Sequence, residues 1–567
     1  MDSISALKNY LKDAFRGDID DSEATLANMS HDASLLEVKP KIVLYPKDSK
    51  DIQAVVNFVR INKSAYPDLS VTVRSAGTDM SGGPLNDSII LDVARYIKGI
   101  IEIKKTGQVA DAGGLATILP GTFYRDFEPE AAKLGLVLPC YTASKNLNTL
   151  GGMIGNNSAG EKTLRYGKME NFIVSLDVVL PDGNEYTLRP LGKEEFRLKL
   201  SQEDAEGELY RKVWDIVSQN KGLLAFAKPK VSKNSAGYYL WNVWDEASQT
   251  FDLTKLIVGS QGTLGIVTRA TIRLVPIKPL SKLFVVFMPT LDRLGDIVRD
   301  IAAFKPESFE SYDDSTMALA VKFMPDMIRT MRLHNFARLV WSFRPEAWMA
   351  LSGGFPKLVL LVEFSGDTEK EVDDRMTVLE DKIGHYGFKM RRAKNEFDSE
   401  KYWTIRRESF NLLRKHSRGR RTAPFVDDII VPPETMPDFL PKMRKILDDY
   451  KLLYTIAGHA GNGNFHIIPL MDMHDRANIQ AIDEVSDKVY DLVLSYRGSI
   501  TAEHNDGIIR TPYLAKQFGS EVVALFEKTK DAFDPQHIFN PGKKVVAGTA
   551  HDAPGTKEYM ISRLARE

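Results

Sequence analysis

Directly behind a strand-like run, Leu69-Ser-Val-Thr-Val-Arg74, the chain places Arg74-Ser-Ala-Gly-Thr-Asp-Met-Ser-Gly-Gly83, a loop with three glycines among hydroxyl and carboxylate side chains. Residues without a Cβ let the backbone come close to a ligand, and successive N–H groups in such a loop suit a pyrophosphate. The spacing is neither the G-x-G-x-x-G of a dinucleotide fold nor the G-K-[ST] of a P-loop, so those two frameworks are not indicated. Taken alone, the loop would serve equally well as a tight turn.

The residues around it predict α+β structure. Lys41-Ile-Val-Leu-Tyr45 is a short apolar run ended by Pro46, and Ile52, Val55, Val56 and Val59 follow at helical spacing. Ser88-Ile-Ile-Leu-Asp92 predicts a further strand beyond the loop. From about residue 281 the pattern changes. Leu283 to Met288 predicts a strand, and Leu294, Ile297, Val298 and Ile301 mark a helix. A similar unit recurs in Leu358 to Phe364, then Val372, Met376, Leu379 and Ile383 on one helical face, then Phe388 to Arg392. Two strand-helix-strand units predict a ferredoxin-like α+β cap. At 567 residues the chain exceeds what one core serves, so at least two domains are expected.

Composition excludes several functions. With 75 basic and 76 acidic residues, net charge -1, nucleic-acid binding is not suggested. Cys140 is the only cysteine, so an intrachain disulfide, a cysteine-rich zinc site and an iron-sulfur cluster held by this chain alone are not expected. Its simplest role is that of a small apolar residue. Asp2, Asp13, Asp18, Asp20, Asp21 and Glu23 near the N-terminus suit neither a secretory signal nor a mitochondrial transit peptide, and no apolar run is long enough for a bilayer. The expectation is a cytoplasmic protein, with peripheral membrane contact left open.

The first loop gains meaning when read with Pro120-Gly121, Thr149-Leu-Gly-Gly-Met-Ile-Gly-Asn-Asn-Ser-Ala-Gly160, Arg165-Tyr-Gly167 and Gly259-Ser-Gln-Gly-Thr-Leu-Gly-Ile-Val-Thr268. In this order and spacing, over roughly residues 36 to 276, the chain resembles the PCMH-type FAD-binding domain of the vanillyl-alcohol oxidase superfamily. Asp534-Pro-Gln-His-Ile-Phe-Asn-Pro-Gly-Lys543 resembles that family's closing segment, which returns to the flavin. The resemblance implies a two-subdomain FAD-binding domain, a ferredoxin-like cap and a C-terminal helical segment. It divides the chain into an N-terminal helical segment 1–35, an FAD domain 36–276, a cap 277–500 carrying the metal motif, a C-terminal segment 501–548 and a tail 549–567. The implied FAD-contacting residues are Arg74, Ser75, Ala76, Gly77, Thr78, Asp79, Met80 and Ser81 in the first loop, then Pro120, Gly121 and Ser144. Thr149, Gly152, Asn156, Asn157 and Gly160 follow, with Gly262, Gly265, Ile266, Val267 and Asn540. Between His31 and His334 there is no histidine, so the FAD is expected to be non-covalent.

Seven of the ten histidines lie after residue 400. In Ala457-Gly-His459-Ala-Gly-Asn-Gly-Asn-Phe-His466-Ile-Ile-Pro the apolar stretches 452 to 456 and 465 to 470 flank a Gly-Asn-Gly-Asn turn. A symmetric hairpin would oppose His459 and His466 directly, and two imidazoles would meet one metal. Ile500-Thr-Ala-Glu503-His504-Asn-Asp-Gly507 supplies a carboxylate to complete a His-His-Glu set, leaving neutral His504 as a base. A lone histidine is more often structural. The two motifs together resemble the H-A-G-[DN]-G-N-x-H and E-H-x-x-G patterns of the D-2-hydroxy-acid dehydrogenases of the superfamily. That resemblance implies a divalent metal, zinc favoured, on His459, His466 and Glu503, with His504 near substrate and flavin. Asn505-Asp506 replaces the Gly-Ile or Gly-Leu of many relatives. The Asp506-Gly507 and Arg510 variant resembles long flavoproteins with a C-terminal iron-sulfur extension, which is not expected here.

Trp403-Thr-Ile-Arg406-Arg-Glu is similar to the family's W-x-[IL]-R-E segment, implying that Arg406 grips the substrate carboxylate. Arg407 displaces the glutamate by one. Asp428-Ile-Ile-Val-Pro432 fits the family's D-[IV]-x-[LV]-P strip, yet Val426 stands where some relatives carry a lysine. Arg406, Arg407, Arg414, Lys415, Arg418, Arg420 and Arg421 face only Glu408 in sequence. They form an entrance for an acidic substrate, a dock for an acidic electron acceptor, or a solvated face. The expected activity is metal-assisted oxidation of a D-2-hydroxy acid, D-lactate favoured with glycolate and 2-hydroxyglutarate open, to the 2-oxo acid. Electrons would leave to a quinone, a cytochrome or a separate iron-sulfur subunit, and a homodimer is an admissible assembly. The competing readings are an FAD-dependent alcohol or polyol oxidase and a non-catalytic electron-relay flavoprotein.

Overall fold

The computed structural model describes residues 2–109, 112–322, 355–415 and 420–565. Pro46 stops the strand Ile42–Tyr45, and Asp48 then caps the helix Ser49–Asn62 by accepting from the N–H groups of Lys50 and Asp51. That helix turns Ile52, Val55, Val56 and Val59 into a core against the strand, each wholly buried. Each such side chain contributes roughly 1.5–3 kcal/mol against the ordering entropy of the segment. Ile42–Tyr45, Ile89–Asp92 and Val71–Arg74 pair in parallel in that spatial order, and Asp18–Asp20 adds an antiparallel edge. The segment 1–35, expected to be helical, thus holds that strand as well as the helices Ser3–Ala14 and Glu23–Met29. Alternating polar and apolar residues in Asp18-Ile-Asp20 let it cover an otherwise open sheet edge.

A second sheet runs Ile100–Val109, Ala112–Ile118, Ile266–Pro276, Ile173–Val179 and Glu185–Leu188. Its central strand Ile266–Pro276 alternates buried and more exposed residues along its length.

The cap is an antiparallel sheet. Lys389–Arg392, Leu280–Met288, Leu358–Gly366 and Ser308–Asp313 lie side by side in that order, with helices Leu294–Ala302 and Glu369–Ile383 as the crossovers. This is the strand order of a ferredoxin-like unit, as the two repeated patterns predict. The sheet continues beyond Ser308–Asp313 into the hairpin Leu453–His459 and Asn464–Met471, through the pairs Ser311 with Gly458 and Tyr312 with Ala457. The histidine motif is therefore an extension of the cap sheet. No helix of the described residues is long and apolar enough to cross a membrane.

The C-terminal segment ties back to the glycine loops. Asn540, wholly buried, donates from Nδ2 to the carbonyls of Gly83 (2.9 Å) and Gln261 (2.6 Å) and accepts from Thr72 Oγ1 (2.8 Å). Three distant segments thereby share one side chain. Asn540→Ala leaves these buried groups without partners, at roughly 1–3 kcal/mol for each unsatisfied group. The expected result is an earlier urea midpoint for loss of flavin than in the parent, read by flavin fluorescence.

Candidate active site

One cavity of ≈ 860 Å³ runs between the glycine loops of the first half and the histidine hairpin of the cap. Of the residues expected to hold FAD, Ser75, Gly77, Thr78, Asp79 and Met80 line it, as do Pro120, Ser144, Thr149, Gly152, Asn156, Gly160, Gly262, Gly265 and Val267. Arg74, Ala76, Ser81, Gly121, Asn157, Ile266 and Asn540 are not part of its wall. Several act from behind it. Arg74 donates to the carbonyls of Met29 (3.1 Å) and His31 (2.7 Å), fixing the N-terminal segment that closes one side. Ser81 Oγ donates to Asp79 Oδ1 (2.7 Å), whose carboxylate also accepts from the Ser81 and Gly83 N–H groups and so shapes the loop.

The wall suits a flavin dinucleotide because its loops place glycines where the backbone comes close. A Cβ on Gly155 would meet nothing within 4 Å, and one on Gly152 would stand 3.0 Å from Ser75 Oγ. Gly77 has φ +66°, and its Cβ would lie 2.4 Å from Arg74 Nη2. Cys140 is wholly buried, burial pushes its thiol far up, and it does not line the cavity.

At the cap end the two histidines are not directly opposed. His459 pairs with Asn464 and Ala457 with His466, a two-residue offset from a symmetric hairpin. The cause is the turn: Ala460–Asn462 coil into a 3-10 turn closed by Gly463 at φ +73°, so the hairpin pivots earlier than the Gly-Asn-Gly-Asn sequence suggests. Because side chains alternate with period two, the offset keeps both rings on one face, with centroids 5.3 Å apart.

Three imidazoles converge on one oxygen. His459 Nε2, His466 Nε2 and His504 Nε2 lie 3.1, 3.4 and 4.0 Å from Glu503 Oε1. The second oxygen, Oε2, accepts from Lys233 Nζ at 2.8 Å, and Lys233 is buried. Burial alone would raise the Glu503 carboxyl, but the charges of Lys233 and His459 hold it well below the usual range. The opposite ring nitrogens rest on carboxylates. His459 Nδ1 is 2.5 Å from Glu310 Oε1, His466 Nδ1 3.2 Å from Asp427 Oδ1, and His504 Nδ1 2.8 Å from Asp427 Oδ2. Burial opposes charge on His466, but the hydrogen bonds and charges of Asp427 and Glu503 together outweigh this and push it up to about 10.

Asp428, His466, Glu503 and His504 offer ligand atoms within 4.8 Å of one another. Asp428 is ill suited to a cation. Its Oδ2 already accepts from Thr501 Oγ1 (2.6 Å) and from the N–H groups of Ala502, Glu503 and His504 (2.8, 2.8 and 2.7 Å), while Oδ1 takes Asn464 Nδ2 at 3.1 Å. The donor set that remains is His466, Glu503 and His504, imidazole nitrogens and a carboxylate that fit a divalent transition metal, and the expected ligand His459 stands beside it, outside this group, 3.1 Å from Glu503 Oε1.

Arg406 lines the cavity, but Glu310 Oε2 already holds its Nε (3.1 Å) and Nη2 (3.0 Å). Arg407 pairs with Glu161 at 2.9 Å. Arg420 and Arg421 stand at the cavity wall as well. Part of the basic run is thus neutralised internally, and Arg418 lies outside the described residues. Val426 is wholly buried in the core, away from the cavity. Glu310, Asp427 and Lys233 were missed by sequence reasoning. The Asp427-Asp428 tandem carried a local signal, whereas Glu310 and Lys233 meet the motifs only through the fold.

Fold and cavity define a two-domain flavoprotein of the FAD-linked oxidoreductases. Residues 40–189 match the FAD binding domain and residues 278–544 the C-terminal domain of FAD linked oxidases, and the chain belongs to this family. D-2-hydroxyglutarate dehydrogenase of Escherichia coli is 27% identical over 570 residues, covering 99% of this chain and 53% of that protein. The chain therefore spans about half the length of that relative. The glycolate oxidase subunit GlcD of Bacillus subtilis is 25% identical, with 92% of this chain and 93% of its own length covered. Among solved structures, 4-ethylphenol oxidase from Gulosibacter chungangensis has the same fold at TM-score 0.67 and 16% identity, covering 96% of this chain and 97% of that one.

Gly77→Ala combines a left-handed backbone penalty of about 1 kcal/mol with a clash against the Arg74 guanidinium. The expected outcome is a lower ratio of flavin to protein absorbance after gel filtration, with far-ultraviolet circular dichroism preserved.

Proposed function

We propose that the chain is an FAD-dependent dehydrogenase of D-2-hydroxy acids. The observation that carries this reading is one continuous cavity whose one end is walled by the glycine-rich loops and whose other end is the His459, His466, Glu503 and His504 cluster. An alcohol oxidase needs the first but not the second.

In this reading Ser75, Gly77 to Met80, Thr149, Gly152, Asn156, Gly262, Gly265 and Val267 hold the flavin, and His459, His466 and Glu503 hold a divalent cation, zinc favoured. Bound FAD would supply the acceptor for the α-hydrogen with its electron pair, and the cation positive charge that lowers the pKa of the α-hydroxyl. His504 takes the hydroxyl proton at Nε2, since Asp427 occupies the Nδ1 side. Arg406, held in orientation by Glu310, meets the substrate carboxylate. The name of the Escherichia coli relative and the arginines 406, 407, 420 and 421 along one wall move the favoured acid from D-lactate to a dicarboxylate such as D-2-hydroxyglutarate. Electrons then pass to a separate carrier, a quinone, a cytochrome or an iron-sulfur protein.

The test is anaerobic mixing of the yellow protein with D- and L-2-hydroxyglutarate, D- and L-lactate and glycolate, following the flavin band near ~450 nm. Rapid bleaching by one D-acid, abolished by a chelator and restored by zinc, is expected. Bleaching by simple alcohols regardless of chelation would replace this reading with an alcohol oxidase, and no bleaching by any compound with an electron relay.

A further inference from the structure

His466 and His504 share one buried carboxylate. Asp427 is wholly buried, with Oδ1 3.2 Å from His466 Nδ1 and Oδ2 2.8 Å from His504 Nδ1. The second approach is short but poorly aligned as a hydrogen bond, so charge holds it as much as direction does. The two rings lie 5.0 Å apart at an interplanar angle of 21°, stacked side by side over the same anion.

The backbone is built to deliver this carboxylate. Asp427 and Asp428 lie in the turn that precedes the strand Ile429–Ile430, and Asp428 takes the left-handed conformation there, with φ +70°. Asp427 then faces the rings while Asp428 caps the turn 501–504. The Asp427 carbonyl accepts from Nη2 of Arg510 at 2.6 Å, and Nη1 of the same buried guanidinium reaches the Asn505 carbonyl at 3.0 Å. The carboxylate and the turn that carries His504 are thus clamped from below by one side chain.

We propose that Asp427 is a positioning residue that sets both histidines with the proton on Nδ1, so that His466 offers Nε2 to the cation and His504 offers Nε2 to the substrate hydroxyl. This rests on the reading of the site as a metal-assisted hydroxy-acid dehydrogenase. The chemistry is one of counting acceptors. A carboxylate has two acceptor oxygens, and here one faces each Nδ1. A carboxamide of the same shape has one acceptor and one donor. It satisfies one ring and forces the other into the opposite tautomer, with N–H at Nε2, where neither a cation nor a hydroxyl proton can be taken.

The experiment compares the parent with Asp427→Asn and Asp427→Glu, all purified with FAD. Two readouts are taken: zinc affinity by competition with a chromophoric chelator, which needs no substrate, and the first-order rate of anaerobic flavin bleaching at saturating zinc and acid. Asp427→Asn is expected to retain FAD and to lose zinc affinity by about tenfold to a hundredfold, or bleaching rate by about a hundredfold or more. Asp427→Glu, which keeps two acceptors, should recover most of whichever is lost. Asp427→Asn with both quantities within about twofold of the parent would overturn the proposal. Loss of FAD from Asp427→Asn with full retention in Asp427→Glu would assign the residue to folding alone and overturn it too. A parent that binds zinc but is bleached by no acid removes the hydroxy-acid reading while the zinc readout still decides the His466 half. A parent that takes up no zinc overturns that half directly.

Discussion

Asp428 is wholly buried and has five donors aimed at it. Burying an ionised carboxylate is costly unless hydrogen bonds replace its hydration, and bonds to a charged acceptor contribute about 1.5–3 kcal/mol each. Here those bonds come from Thr501, from the N–H groups of Ala502, Glu503 and His504, and from Asn464 across the hairpin. The turn that carries Glu503 and His504 is therefore wrapped around an anion. It is also locked to the strand that bears His466, because Asn464 belongs to that strand. The glycine loops are tied to the same turn by Gln261, which accepts from the Gly507 N–H at 2.9 Å.

Around that anchor the site is a balance of buried charges. Glu503 lies between Lys233 and the imidazoles, Glu310 between His459 and Arg406, and Asp427 between His466 and His504. Such pairs add little net stability over an apolar core, since desolvation offsets most of their attraction. Their contribution is geometric. Each ring has one nitrogen committed to a carboxylate, so the other nitrogen has a fixed direction and a fixed capacity to accept. Removing any one partner would strand a buried charge, which is why the cluster behaves as a unit.

The α+β alternation, the helix behind Pro46 and the ferredoxin-like repeat of the cap were legible because each depends on local periodicity and on stop signals within a few residues. The glycine loops and both histidine motifs were legible for a related reason: their chemistry is carried by residue types at close spacing. The hairpin register was not, because the pivot is set by a 3-10 turn whose energy depends on its surroundings, and a shift there moves His466 from facing His459 to facing Ala457. Asn505-Asp506 departs from the Gly-Ile or Gly-Leu of many relatives. In the fold Asp506 is wholly buried and accepts from the Gly237 N–H at 2.9 Å, while Asn505 holds the Gly259 carbonyl at 2.9 Å, so both residues join this turn to the flavin half.

By itself the sequence determined the fold class, the nucleotide-binding character of the first half and the polar motifs that carry His459, His466, Glu503 and His504, because these follow from local backbone preference and side-chain chemistry. Only the tertiary structure decided which groups complete them. Lys233 reaches Glu503 across 270 residues of sequence and Glu310 reaches His459 across 149. Neither position differs in type from many other charged residues of the chain until burial leaves only the groups of this cluster as partners. Arg406 shows the same limit: its motif marks it for a substrate carboxylate, while the fold has already given it Glu310.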